Sequence, residues 1–208
     1  MIPVSPQPEP DDFDEKVRKP GTAWLAHNPT VKPEDYPAYW RKALPDLRVA
    51  YRSVCAYYCY FLEACDSGTV DHFVPKSKRP DLTYEWTNYR FACSKANARK
   101  GIKDDVLDPF TLETETFLLD AVTGAIVPNP TLSPQTAKAA WATIERLGLD
   151  RPDMRDMRTQ HIDHYLHGNV SLYHLDSHSP FVAYEIRRNR LQPVQTPVPY
   201  SHLDIFFP

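Results

Sequence analysis

Asp71, His72, Asn88 and Asn97 are the polar residues whose types and spacing stand out in this chain. A carboxylate, an imidazole and two carboxamides supply a proton acceptor and oxygen donors. Taken singly, each has an ordinary reading: Asp71-His72 as a surface pair, Asn88 as a turn residue and Asn97 as an exposed helix residue. The charge around them is less ordinary. Between residues 72 and 103 lie Lys76, Lys78, Arg79, Arg90, Lys95, Arg99, Lys100 and Lys103, opposed by Asp81 and Glu85. That is a local balance of +6 in a chain of net charge -3. Such a footprint is expected where a backbone phosphate docks. Lys76, Arg99 and Lys100 are the candidate phosphate contacts.

Local patterning predicts the elements that must carry these residues. TVDHF (69–73) is β-like, PKSKRPDL (75–82) is a basic loop, and TYEWTNYRF (83–91) is again β-prone. ACSKANARKG (92–101) fits a short helix closed by Gly101. Neighbouring side chains on a regular strand point to opposite faces, so Asp71 and His72 share a site only at a strand end or bulge.

VDHFVPKS, then YEWTNY, then CSKANARKG, resembles the HNH endonuclease (ββα-metal) family. The similarity is to its bacterial branch with D-H-F-x-P-K-S, E-W-x-N and N-x-x-K-G. The following VLDPF also resembles that branch, and the match covers about residues 50–110. The resemblance implies that Asp71 and Asn97 ligate one divalent cation, Mg²⁺ or Mn²⁺, and that His72 is the general base. It implies that Asn88 locks the loop between the strands through backbone groups. An unperturbed imidazole, with a pKa of about 6.5, suits the base, and carboxylate and amide oxygens suit a hard cation. The implied reaction is hydrolysis of DNA phosphodiester bonds. Relatives in this branch resemble the HNH subunits of Septu-like and retron-associated anti-phage systems, in which an ATPase partner controls the nuclease. Many relatives also hold a structural zinc with two C-x₂-C pairs. Here the pairs are degenerate: Cys55-x₃-Cys59, and Cys93 followed by Ala96. No structural zinc is expected, because a four-thiolate site needs all four ligands. Ala96, Phe91 and the aromatics at 57–61 would fill that space instead.

The flanks frame this unit. The chain has 208 residues with 42% hydrophobic content, enough for a core without staples. Of its 21 prolines, nine precede residue 46 and four follow residue 192, which predicts extended ends. Residues 1–22 read as an extended arm, 23–110 as the core with N-terminal helices, and 111–208 as a hairpin plus a helical region. Short helices are expected over 34–52 and a buried strand over 55–62. A hairpin turning at Thr123-Gly124 is expected over 117–129, with helices over 133–148, 154–167 and 180–190. The fold class predicted is α+β: a central ββα unit in a mostly helical single domain. His161, His164 and His167 share a helical spacing, and a packing or solvated role is expected for them. No apolar run approaches bilayer length and the N-terminus lacks a signal peptide, so a cytoplasmic chain without membrane contact is expected.

Two other functional classes compete. A subunit that binds nucleic acid or an ATPase without cutting needs none of Asp71, His72 and Asn97. A ribonuclease or colicin-like toxin would want an import segment or a strongly basic domain, and neither is visible.

Overall fold

The computed structural model describes residues 1–66 and 68–194. At its centre β1 (Gly68–His72) pairs antiparallel with β2 (Tyr89–Cys93), placing Asp71 opposite Arg90 and His72 opposite Tyr89. Helix α3 (Ser94–Lys100) follows directly and packs on both strands. It starts where the Cys93 thiolate or thiol accepts a hydrogen bond from the Ala96 amide. It stops at Gly101, whose φ of +55° is a conformation glycine adopts readily.

Around this unit lie α1 (Lys19–His27), α2 (Leu44–Ala50), α4 (Pro134–Leu147), α5 (Pro152–Leu166), α6 (Leu172–His178) and α7 (Pro180–Arg188). A second antiparallel pair, β3 (Phe117–Leu119) and β4 (Ile126–Pro128), flanks α4 and α7. The described residues therefore form a mixed α+β fold. The buried apolar side chains, from Met1 to Ile186, make one cluster. No helix among the described residues is long and apolar enough to cross a membrane.

The helix boundaries follow local chemistry. Ser133 accepts from the Thr136 amide at 3.2 Å, Pro134 opens α4, and Gly148 closes it with φ +64°. Prolines also open α5 and α7 within the first turn, where the missing N–H has no intrahelical partner to lose, whereas Pro20 and Pro45 lie in the first turns of α1 and α2 directly after helical turns.

Residues 1–22 are not an extended arm throughout: a π-helical turn spans Asp14–Arg18 and runs into α1. Pro20 sits in the first turn of α1, and Asp14 and Glu15 in the first turn of the preceding one favour its positive end. Phe13, Val17 and Gly21, four apart, form the buried stripe. A Cβ on Gly21 would come within 2.2 Å of the Tyr84 ring, so this helix can approach only through a glycine. Residues before Asp11 form neither helix nor strand. They are tied down by the Val4 amide to Pro109 O at 2.8 Å and by the Trp86 indole N–H to Gln7 O at 2.8 Å.

The segment 55–62 is buried but is not a strand. It folds back on itself, with the Cys55 amide bonded to Tyr60 O and Cys59 at φ +56°, and only Val54 and Phe61 form a bridge. Its aromatics were β-prone in sequence but serve burial and hydroxyl bonding instead. The second central strand also starts later than expected, at Tyr89, because 3₁₀ turns take up Pro80–Leu82 and Trp86–Asn88. Helices α1 and α6 lie where no helix was expected. The expected extension after residue 192 falls mainly on 195–208, outside the described residues.

Candidate active site

Asp71, His72, Lys76 and Asn97 line one cleft of about 470 Å³. His72 is the last residue of β1, so regular alternation ends there and both neighbours reach the same cavity. Asp71 is sunk in its floor at 2% exposure. The Tyr57 hydroxyl donates to Asp71 Oδ2 at 2.5 Å, and the Lys100 ammonium donates to Oδ1 at 3.1 Å. Burial pushes the carboxyl above the usual carboxylate range, against the pull of Lys100, Tyr57 and Arg90.

His72 donates Nε2–H to the Thr83 carbonyl at 2.9 Å. A carbonyl can only accept, so Nε2 carries the proton and Nδ1 carries the lone pair of the neutral ring. Nδ1 has no protein hydrogen-bond partner among the described residues and is not sealed from solvent. Trp40 and Tyr89 clamp the ring edge-to-face at 5.0 and 5.2 Å. Burial drives the imidazole pKa down to about 3, helped by the charges of Lys76 and Lys100. The ring is therefore neutral at pH 7 with its lone pair available, but it is a weaker base than the unperturbed imidazole expected from the sequence, because burial and two neighbouring ammonium groups disfavour its charged form.

Asn97 projects from α3. Its Nδ2 donates to Thr69 Oγ1 at 3.1 Å and to Val70 O at 3.4 Å, which fixes the amide and leaves Oδ1 without a protein donor among the described residues. Asn88 lies at the other end of the hairpin. Its Oδ1 accepts from the Val74 amide at 2.8 Å, and its Nδ2 donates to Val74 O at 3.0 Å and Leu82 O at 3.1 Å. Asn88 thus ties the loop to the start of β2 and does not line the cleft.

The expected phosphate contacts separate. Lys76 lines the cleft, with Nζ 4.1 Å from the Trp40 ring centroid. Lys100 does not face solvent at all. It is fully buried, bonded to Asp71 and to His72 O at 2.8 Å, because it shares the inward face of α3 with Ala96. Arg99 leans away onto the Leu147 carbonyl at 3.4 Å and is not part of the cleft. The wider basic footprint is also largely spent. Lys78 pairs with Asp104, Arg79 with Asp81, Arg90 with Asp108, Lys95 with Asp153 and Lys100 with Asp71. Four of those five carboxylates lie outside the 72–103 window, so the linear count overstated the local field.

Sequence reading missed Tyr57, Trp40, Glu34 and Ile102 as site residues. Tyr57 sits in a run read as apolar, Trp40 and Glu34 come from segments distant from the hairpin's two strands, and Ile102 directly follows the Gly101 that closes α3. The Ala96-to-Lys100 spacing was the one available sign that Lys100 turns inward.

A hard divalent cation fits the chemistry of the Asp71 carboxylate and the free Asn97 Oδ1, with the constraint that Lys100 already neutralises the carboxylate. Among the described residues no group of three or more His, Cys, Asp or Glu side chains is placed to share a metal ion. His161 and His164 lie on α5, and the rings of His174 and His178 on α6 stack at 3.9 Å. His167 bonds back to Asp163 O at 2.8 Å. At the degenerate cysteine pairs, Cys55 Sγ accepts from the Tyr58 and Cys93 amides at 3.5 and 3.3 Å. No family model matches the chain, and no curated protein matches it.

Proposed function

We propose that the chain is an HNH-type endonuclease that hydrolyses DNA phosphodiester bonds, with its chemistry in the β1–β2–α3 cleft. The observation that carries this reading is the convergence of Asp71, His72 and Asn97 on one cavity, with His72 Nδ1 free of protein hydrogen bonds among the described residues. His72 Nδ1 takes the proton of the attacking water. The Thr83 carbonyl holds the ring in the tautomer that makes this possible, and Trp40 and Tyr89 hold its plane. Lys76 meets the phosphate. Asp71 and Asn97 would hold Mg²⁺ or Mn²⁺, which supplies stabilisation of the negative charge that builds on phosphate and leaving oxygen. Asn88 keeps the loop bearing Lys76 in register.

With one unpaired lysine in the cleft, unaided DNA affinity is weak. This supports a nuclease effector of a bacterial anti-phage system that acts through a partner protein such as an ATPase, by analogy with the resembling systems. The buried Lys100–Asp71 pair favours a second reading, a non-cleaving nucleic-acid-binding subunit in which Asp71 is structural. Incubation of plasmid and oligonucleotide substrates with Mg²⁺, Mn²⁺ or EDTA separates the two. Cation-dependent cleavage supports the nuclease, and binding without cleavage supports the subunit.

A further inference from the structure

We infer that the cleft takes one unstacked nucleotide of a single strand, with its base on Trp40 and its phosphate between Lys76 and His72. The inference rests on the nuclease reading and adds the substrate form. Pro33, Trp40 and Ile102 give the cleft apolar walls, and Ile102 is 68% exposed. Apolar walls and one aromatic face suit a nucleobase, which brings a flat apolar surface and polar edges. A cavity of about 470 Å³ is in the range that engulfs a small ligand, not one that follows a helical duplex.

Charge argues the same way. A duplex presents two phosphate backbones, and proteins that grip it neutralise several phosphates. Here Lys76 is the only Lys or Arg among the residues lining the cleft, and the exposed Glu34 carboxylate stands on its rim without an ion pair among the described residues. Glu34 and Arg41 both act on the Lys76 ammonium from nearby, so the cleft offers a small mixed field that suits one phosphate better than the several of two backbones. The Lys76 ammonium lies 4.1 Å from the Trp40 centroid, and His72 lies 5.0 Å from the same ring system. Trp40, Lys76 and His72 thus lie within the span of one nucleotide, and a phosphate that draws Lys76 off the Trp40 face leaves that face to the base.

The test measures Kd of the full chain in EDTA for a labelled single-stranded DNA oligonucleotide, its blunt duplex, and the same strand made abasic. The single strand is expected to bind at least ~10-fold tighter than the duplex, and the abasic strand to lose most of that advantage. Trp40→Leu should erase the preference and Trp40→Phe should keep it. Should Trp40→Leu fail to fold by circular dichroism, Ile102→Glu, at an exposed wall position, should weaken single-strand binding instead. Equal or tighter duplex binding, an abasic strand as good as the intact one, or folded wall variants that keep wild-type preference overturn the inference. If the duplex is bound and cut, the nuclease reading survives and only the strand preference falls. If no nucleic acid is bound or cut, both fall.

Discussion

The Lys100 ammonium donates to the Asp71 carboxylate at 3.1 Å, and both side chains are closed to solvent, at 0% and 2% exposure. Beneath the cleft the pair is framed by the Tyr57 hydroxyl on Oδ2 and the His72 carbonyl on Nζ. Removing one partner leaves the other charge buried and unpaired. Lys100→Ala is therefore expected to destabilise the fold by about 3–5 kcal/mol, read from urea unfolding. Asp71→Ala should be costly for the same reason, so loss of activity in that variant has to be judged beside its stability. A Lys100→Ala protein as stable as wild type would remove this pair from the account.

His72 gives the chain an acid sensitivity of its own. Its folded pKa, about 3, lies below the unfolded value of ~6.5, so on acidification the unfolded chain binds the proton first. The contribution is complete above pH ~6.5 and is lost as pH falls towards ~3. His72→Gln should flatten this part of the stability curve relative to wild type in urea midpoints taken from pH 7.5 to 4. Parallel curves would show that the ring is not buried neutral.

Asn88 holds three backbone groups across the loop, at 2.8, 3.0 and 3.1 Å. Asn88→Ala leaves them without partners in a buried place and should cost about 2–3 kcal/mol. Hydrogen exchange should rise around residues 73–82, the segment that carries Lys76. Unchanged exchange there would limit Asn88 to a local turn.

The N-terminal segment also acts on stability. Phe13 and Val17 are fully buried, and Phe13 meets Trp86 and Tyr89 at 5.6 and 5.9 Å. Phe13→Ala should cost about 3–5 kcal/mol, and deletion of residues 1–20 should abolish cooperative unfolding. A partner-docking role for this segment is therefore better tested by exposed substitutions such as Glu15→Lys, scored by co-purification with the products of neighbouring genes.

Much of the strand–loop–strand–helix order was legible because its signals are local. Gly101 closes α3, Ser133-Pro134 opens α4, and the Asp71-His72 pair ends a short β run. What was not legible depends on distant packing. Lys76 and Lys100 look alike in sequence, yet one lines the cleft and the other neutralises its floor, because only the folded chain puts Asp71 beside α3. The partners of Lys78, Arg90 and Lys95 come from Asp104, Asp108 and Asp153, which a charge count over 72–103 does not see. Prolines misled at the N-terminus because Pro20 sits within a continuous helical run, directly after the π-helical turn, and β-propensity misled at 55–62 because Tyr57 and Tyr58 are held by hydroxyl bonds to Asp71 and Leu147 O.

The most direct test of the central claim is the single-turnover cleavage rate of wild-type and His72→Ala protein on DNA with Mg²⁺, measured with the chain alone and with its co-expressed neighbours. In the proposed mechanism the ring takes the proton of the attacking water, and its side chain makes no bond to the Asp71–Lys100 pair, so the variant is expected to fold. Its rate should fall about 10²–10⁴-fold while DNA affinity is retained. A folded His72→Ala protein that cuts at the wild-type rate, or a wild-type protein that cuts nothing in either setting, contradicts the assignment of this cleft to phosphodiester hydrolysis.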